Sequence, residues 1–230
     1  MMEQKHSIGW VTFLLATAAG FCDTATFVAG DAIFSAHVTG NFIVFAAQVA
    51  SGGSNTESWI KLISFPVFVL AVMVGGWLAE KTGRKYKILL IEGIILVCCG
   101  ITAMLISAMP GVNETISVYL IVMTTVFAMG LQNAFGKLFG KETYGPTTMM
   151  TGNVTQISLD LCTFLRRRGD KADIPSINFR NQLITIGGFL GGCILGAVLA
   201  KWVGLSAIIL PGAAIVLCYL QGESAAQKMD

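Results

Sequence analysis

Long apolar runs separated by short polar stretches dominate the pattern of this chain. A helix needs about 20 consecutive apolar residues to cross the hydrocarbon core of a bilayer. Runs of about that length predict six transmembrane helices, at Gly9–Gly30, Trp59–Ala79, Ile88–Met109, Ile116–Gly136, Leu183–Lys201 and Gly204–Leu220. The first run continues beyond the apolar core of a signal peptide, so we interpret it as an uncleaved helix.

Two shorter apolar runs, Ile33–Ala50 and Thr147–Leu165, each contain the triplet Thr-Gly-Asn. Threonine and asparagine are common helix N-cap residues, and glycine permits a bend in the backbone. We therefore predict that each triplet begins a half-helix whose free N–H groups point toward a shared site inside the protein. The alternative is that the triplets are packing joints in two complete, tilted helices.

Composition excludes an ordinary soluble domain. The chain is 54% hydrophobic and 12% charged, whereas soluble domains carry about 25% charged residues. The net charge of +2 comes without a basic tail or patch, so we expect the lipid bilayer as a partner and no nucleic acid. The six cysteines lie in or beside apolar runs and form no C-x-x-C pair, which argues against a disulfide framework or a zinc site.

The distribution of basic residues predicts the topology. Residues 81–87 and 166–171 are basic clusters, and Lys137 and Lys141 form a weaker group; such residues tend to remain in the cytoplasm. Eight full spans would place the two main clusters on opposite sides of the membrane. Six spans with two partial segments place every cluster and both termini in the cytoplasm. We therefore expect an all-α, six-span protein of the bacterial cytoplasmic (inner) membrane.

The chain also contains an internal repeat. Gly20-Phe-Cys-Asp23 resembles Gly130-Leu-Gln-Asn133, and a Thr-Gly-Asn triplet follows each at nearly the same offset. We predict a single membrane domain of two repeats, residues 1–112 and 113–230, each with three spans and one partial segment. Three is an odd number, so the second repeat would be inverted. In inverted-repeat transporters the interrupted helices mark the binding site.

Polar residues inside membrane segments are costly and are functional candidates by default. Asp23 is our candidate for the coupling proton, opposite the neutral Asn133 of the other repeat. His37 and Glu92 are further proton-coupling candidates, although His37 could be structural and Glu92 could pair with basic residues at the interface. Besides Asp23, we expect solute contacts from uncharged side chains: Thr39, Asn41, Gln132, Asn133, Thr151, Asn153 and Gln156.

Glycines are paired in the fifth long apolar run, Leu183–Lys201. Gly187-x-x-x-Gly191 and Gly192-x-x-x-Gly196 predict small-residue packing faces, either within the monomer or in a dimer. The chain has no phosphate-binding loop, metalloprotease motif or nucleophile elbow. We therefore expect neither an enzyme nor a cofactor or metal site.

Two family resemblances follow from these residues. The stretch GFCDTATFV followed by FSAHVTGN resembles the opening of the YoaK-like bacterial membrane proteins (domain of unknown function 1275), with Thr24 where alanine is usual. That resemblance extends over most of the chain and implies no particular chemistry. Residues 76–85 are similar to the cytoplasmic loop signature of major facilitator transporters, with Glu80 and Lys81 in the places of Asp and Arg. This similarity implies a half-sized relative that pairs into a homodimer.

The leading hypothesis is a membrane transporter, a secondary permease for a small polar or anionic solute, with optional proton coupling through Asp23. One alternative is a channel or facilitator in which the two triplets form a fixed constriction. The other is a non-transporting scaffold, in which the triplets are packed with no cavity between the two halves.

Overall fold

The computed structural model describes residues 2–52, 56–82, 86–109, 114–166 and 176–227, and all the regular structure in these ranges is helical. A short 3₁₀ helix, Gly204–Ile208, precedes the last α-helix. The α-helices are α1 (Met2–Ala29), α2 (Gly40–Ala50), α3 (Thr56–Thr82), α4 (Lys87–Ser107), α5 (Glu114–Leu138), α6 (Met150–Arg166), α7 (Ser176–Val203) and α8 (Ile209–Gln227). Each predicted apolar run contains a helix, and α2 and α6 begin within one residue of their triplets.

Five stretches of the described chain are long and apolar enough to cross a membrane: Ile8–Ala29, Ser58–Lys81, Lys87–Ser107, Glu114–Leu138 and Phe179–Leu220. The last of these is 42 residues long and contains α7, the 3₁₀ helix and most of α8. Helix α2 is apolar but shorter. Most of the two basic clusters lies outside the described residues, namely Arg84, Lys85, Arg167, Arg168 and Lys171.

The main helix contacts come in matched pairs. Helix α1 packs on α7, and α3 packs on α5; α2 lies against α3, and α6 lies against α7. Helix α4 packs on both α5 and α8, and α8 also contacts α1. Exchanging α1–α4 for α5–α8 therefore maps this set of contacts onto itself, and the α4–α8 contact is its own counterpart.

Glycines allow α1 and α7 to approach within backbone contact. A Cβ at Gly192 would lie 2.1 Å from the Thr17 carbonyl oxygen, and one at Gly196 would lie 2.5 Å from that of Phe21. Gly188 meets the Phe13 carbonyl oxygen in the same way, at 2.9 Å. This face of α7 confirms the predicted packing role of Gly192 and Gly196 within one chain.

The prediction for Gly187 and Gly191 was wrong within this monomer. A Cβ at either position would have no atom within 4 Å. The two residues precede Gly188 and Gly192, and a shift of one residue turns a side chain by about 100° around an α-helix. They therefore point away from α1, and the packing register is 188, 192 and 196.

A second close crossing joins α4 and α8. A Cβ at Gly93 would lie 3.1 Å from the Gly212 carbonyl oxygen, and one at Gly212 would lie 2.9 Å from the Gly93 carbonyl oxygen. The contact is thus reciprocal. The apolar core lies around α1, α4 and α5, with Leu15, Leu96 and Phe135 among its fully buried side chains.

Candidate functional site

Asp23 of α1 holds the chain that follows the helix. Its Oδ1 accepts hydrogen bonds from the backbone N–H groups of Ala36 (2.8 Å) and His37 (3.2 Å). Its Oδ2 lies 2.6 Å from Nδ1 of His37. Asp23 precedes Asp31, just beyond the helix end, by eight residues, or about 12 Å of helix. The chain after α1 therefore runs back along the helix by about two turns before α2 begins.

The hydrogen bond to Asp23 raises the pKa of His37, and partial burial acts in the opposite direction. The Phe189 ring of α7 contacts the imidazole edge-on, with ring centroids 5.6 Å apart. The Asp23 side chain is 6% exposed and that of His37 is 35% exposed. The hydrogen bond therefore favours the protonated imidazole, and the pair is buried on the aspartate side and open to water on the histidine side.

The pH dependence of this pair has a definite sign. Because the folded-state pKa of His37 is raised, its contribution to stability is complete below about pH 6.5 and falls as pH rises through the raised value. We expect the wild-type thermal midpoint in detergent to fall across that window, and the fall to be smaller in His37→Gln. An identical pH profile for the two proteins would contradict the assignment.

Asn41 fastens the start of α2 to the preceding loop and to α3. Its Oδ1 accepts the Phe34 N–H at 2.8 Å, and its Nδ2 donates to the Phe34 carbonyl at 2.9 Å and to Ser64 Oγ of α3 at 2.8 Å. Thr39 is exposed and makes no side-chain capping bond, so the expected cap was wrong. The carboxamide two residues later holds the preceding loop instead.

The expectation of free N–H groups at the start of α2 was also wrong. The N–H groups of Gly40, Asn41 and Phe42 donate to the carbonyls of His37, Val38 and Thr39, respectively. These are i→i−3 bonds, which tighten the first turn and satisfy donors that a helix end otherwise leaves open. The attraction of this helix end for an anion is correspondingly reduced.

The difference between Asn41 and Thr39 gives a direct test. Asn41→Ala removes three hydrogen bonds and strands buried backbone groups of Phe34, which we expect to lower the free energy of unfolding by about 1–3 kcal/mol. Thr39→Ala should change it by less than about 0.5 kcal/mol, as for other exposed positions. Denaturant titration in detergent measures both, and equal effects would show that Thr39 does cap the helix.

The second half repeats this polar pattern. Asn153 Nδ2 donates to the Pro146 carbonyl at 2.9 Å, seven residues upstream, and Asn41 likewise bonds the residue seven positions before it. Asn133 Oδ1 accepts a bond from Thr148 Oγ1 at 2.7 Å, as Asp23 holds Ala36 in the first half. In the second half, the amide of Asn133 thus takes the place of the Asp23 carboxylate. The hydroxyl of Thr148 takes the place of the Ala36 N–H donor.

The remaining predicted residues do not converge on one point. Gln132 Nε2 donates to the Leu15 carbonyl and to Thr147 Oγ1, at 2.8 and 2.9 Å, and so ties α5 to α1. Thr151 and Gln156 are exposed on α6, where Gln156 bonds Asp160 of the same helix.

The cavities in the described part of the chain include two, one on α6 and one near helix ends. One, of about 490 Å³, is a groove on α6 that includes Thr151. The other, of about 360 Å³, lies between the ends of α1, α4, α5 and α7 and contains none of the predicted residues. Neither cavity contains both Asn41 and Asn153.

A family model described as Protein of unknown function (DUF1275) matches residues 11–221. The chain belongs to the DUF1275 family. The matched region includes both Thr-Gly-Asn triplets and every predicted site residue, which confirms the family resemblance. No significant match is found among curated proteins or solved structures. The five long apolar stretches of the described chain support an integral membrane protein, and membership of the DUF1275 family leaves its activity to be argued from the site.

One buried charge of this DUF1275 chain was missed by sequence reasoning. Lys61 of α3 is fully buried, and its Nζ lies 2.8 Å from Asp31 Oδ2. Tyr119 of α5 donates to the same oxygen at 3.1 Å. The three residues join the end of α1 to the starts of α3 and α5. The presence of a lysine early in an apolar run could have revealed this ion pair, because such a charge needs a partner.

Glu92 of the DUF1275 chain does not pair with the neighbouring bases. It is fully buried on α4, and neither carboxyl oxygen has a hydrogen-bond partner among the described residues. Lys87 is exposed at the start of the same helix. The predicted interfacial ion pair with Lys87 is therefore wrong, and Lys85 lies outside the described residues.

Proposed function

We propose that this DUF1275 protein is a secondary permease for a small polar solute, with Asp23 and His37 as its proton-sensitive lock. One observation carries the proposal: the buried Asp23 carboxylate holds a titratable histidine on a loop that turns back along α1 and precedes a short helix. Such interrupted segments with an ionisable group inside the helix bundle are typical of transporters.

We propose six spans rather than five. The 42-residue stretch Phe179–Leu220 would be about 63 Å long as one helix, roughly twice the hydrocarbon thickness. Gly204, with φ +63°, and the 3₁₀ helix after it interrupt the stretch between α7 and α8. Six spans would leave the basic clusters and both termini in the cytoplasm of a bacterium, by the charge rule.

An inverted repeat gives the permease two moving halves. The paired helix contacts, the reciprocal Gly93–Gly212 crossing and the matched roles of Asn41 and Asn153 support a duplication. Repeats 1–112 and 113–230, each with three spans, would have opposite orientations. Alternating access in such proteins arises when one repeat rocks against the other around a fixed site.

Proton transfer at the lock would release the first loop. Loss of the His37 proton removes the ion pair with Asp23, so the loop that Asp23 holds is less strongly bound. Release of that loop would free Thr39 and Asn41 for solute contacts, and Asn133, Thr151 and Asn153 would act in the same way in the other half. Because the first N–H groups of α2 are already bonded, we favour a neutral polar solute over an anion.

Uptake into proteoliposomes with an imposed pH gradient tests the proposal. A panel of small polar and anionic solutes is screened with the full-length protein, and uptake should collapse with a protonophore. Asp23→Asn and His37→Gln should abolish uphill accumulation, whereas Glu114→Gln, an exposed position on α5, should not. Downhill flux that is unaffected by Asp23→Asn would favour a channel, and no flux of any solute would count against transport.

A non-transporting scaffold is the second candidate function. It is favoured by the fact that the amides of Asn41 and Asn153 are bonded to their own loops. In that case Asp23→Asn would alter stability alone. The half-sized chain would also suit a homodimer, which mass measurement of the protein in detergent tests for either candidate.

A further inference from the structure

Glu92 occupies a position where a carboxyl group has no structural role. It is fully buried, with both oxygens unpartnered among the described residues. Its neighbour Gly93 makes the close contact with α8, and Leu89 and Leu96 of the same helix lie in the apolar core. A leucine or methionine would fill this space without the cost of desolvating a carboxyl group.

The contrast with other buried polar groups is clear. Asp23 has three hydrogen-bond contacts, Asn41 has three, and Lys61 has an ion pair with Asp31. An ionised carboxylate without any partner is strongly disfavoured in apolar surroundings. Glu92 is therefore a neutral acid in this conformation.

The surroundings of Glu92 restrict what it can bind. Hard metal cations need several oxygen ligands, and no group of three or more His, Cys, Asp or Glu side chains that could hold a metal occurs in the described part of the chain. Cys22 of α1 lies within electrostatic range of Glu92 and of Cys99 of α4.

Within the described part of the chain, the neighbours that the other helices place beside Gly93 and Cys99 are uncharged. Helix α8 presents Ile215 and Val216 to Gly93, the neighbour of Glu92, and α5 presents Thr125 to Cys99. A proton is the ligand that fits a single, fully buried carboxyl group with no hydrogen-bond partner among the described residues.

We propose that Glu92 is a proton-binding site that exchanges its proton when α4 and α8 separate at the Gly93–Gly212 crossing. In the exchange the carboxyl O–H bond breaks, its electron pair stays on the carboxylate, and the proton passes to a water molecule that enters the gap. Closure requires the proton to return, because the closed site has no other partner for the charge. The inference rests on the proposed function only in needing a cycle that opens this contact.

Cys22 links this site to the lock. Its thiol lies within electrostatic range of Glu92, and the next residue along α1 is Asp23. The two proton-binding positions therefore lie beside the same turn of α1. Movement of that turn changes the surroundings of both, so that one conformational step alters two protonation equilibria.

Labelling with dicyclohexylcarbodiimide tests Glu92 without a transport assay. This apolar reagent reacts with a protonated carboxyl group: the acid proton moves to a reagent nitrogen, the carboxyl oxygen bonds the central carbon, and rearrangement leaves an N-acylurea that retains every atom of the reagent. Full-length protein in lipid vesicles is labelled, digested and mapped by mass spectrometry. Glu80, which is exposed on α3, is the internal comparison, and Glu80→Gln is the matched control variant.

We expect Glu92 of the wild type to be labelled, with a rate that falls several-fold as pH rises from about 6 to about 9, well above the ordinary range of a glutamic acid. Glu92→Gln should abolish this label, and Glu80→Gln should leave it unchanged. Absence of labelling in the folded wild type would overturn the proposal, and so would a rate independent of pH, which would indicate a sealed acid. Labelling as expected without solute uptake would support the proton site at Glu92 and contradict the permease proposal. Solute uptake without labelling would support the permease and contradict the proton site.

Discussion

Replacing Gly192 with leucine should prevent α1 and α7 from packing and remove most of the folded protein. Even the Cβ of alanine would lie 2.1 Å from the Thr17 carbonyl oxygen and 2.8 Å from its carbon. Both are backbone atoms, which cannot rotate away as a side chain can. Overpacking of this kind costs about 1–3 kcal/mol, occasionally more, so Gly192→Ala should be clearly destabilised and Gly192→Leu should fail to fold.

The same helix provides the matched control for Gly192. Gly191→Ala and Gly187→Ala add the same methyl group where no atom lies within 4 Å, and alanine is the better helix former. Size-exclusion profiles and thermal midpoints in detergent should therefore match the wild type for these two variants. Wild-type behaviour of Gly192→Leu would show that α1 and α7 do not meet at this glycine.

Replacing Asp23 with alanine should lower the free energy of unfolding by about 3 kcal/mol, at the upper end of the cost of leaving buried hydrogen-bond partners unsatisfied. The variant leaves the N–H groups of Ala36 and His37 without their acceptor and His37 without its counter-charge. Denaturant titration in detergent measures the loss, and proteolysis of the loop between α1 and α2 should accelerate with it.

The repeat supplies the comparison for Asp23. Asn133, its counterpart, accepts one hydroxyl bond, from Thr148, so Asn133→Ala should cost only about 1 kcal/mol. Asp23→Asn keeps an oxygen acceptor and should fall between the two. If Asp23→Ala were no more destabilised than Asn133→Ala, the lock between α1 and the loop would be refuted.

Apolar run length was enough to predict the helices, because a bilayer requires one continuous apolar helix for each crossing. Apolar run length did not settle the number of membrane crossings around Gly204. The sequence predicts two runs, Leu183–Lys201 and Gly204–Leu220, but their compositions are nearly continuous, and Phe179–Leu220 forms one long apolar stretch. Whether this stretch crosses the membrane once or twice therefore depends on the turn at Gly204. The packing register of the helices could not be predicted from the sequence either. Adjacent glycines such as Gly191 and Gly192 differ only in the side of the helix on which they lie.

The sequence identified individual candidate residues of the site, but it did not predict which of them contact one another. Asp23 and His37 were recognised separately because each is a titratable group in an apolar context. Their pairing depends on a loop that folds back along α1, which the sequence does not specify. Asn41 was expected to offer its amide to a solute, but backbone groups of Phe34 lie close enough to bind it first. Lys61 was overlooked because its partner, Asp31, lies 30 residues away.

The contact between α1 and α7 has a consequence for biogenesis. Thr17 and Gly192 lie about 175 residues apart, so at ordinary synthesis rates α1 waits on the order of ten seconds for its neighbour to leave the ribosome. During that delay the first helix sits in lipid with its aspartate and its close-contact surface uncovered. A chaperone or insertase that shelters nascent membrane helices should therefore matter more for this protein than for one whose successive hairpins complete themselves.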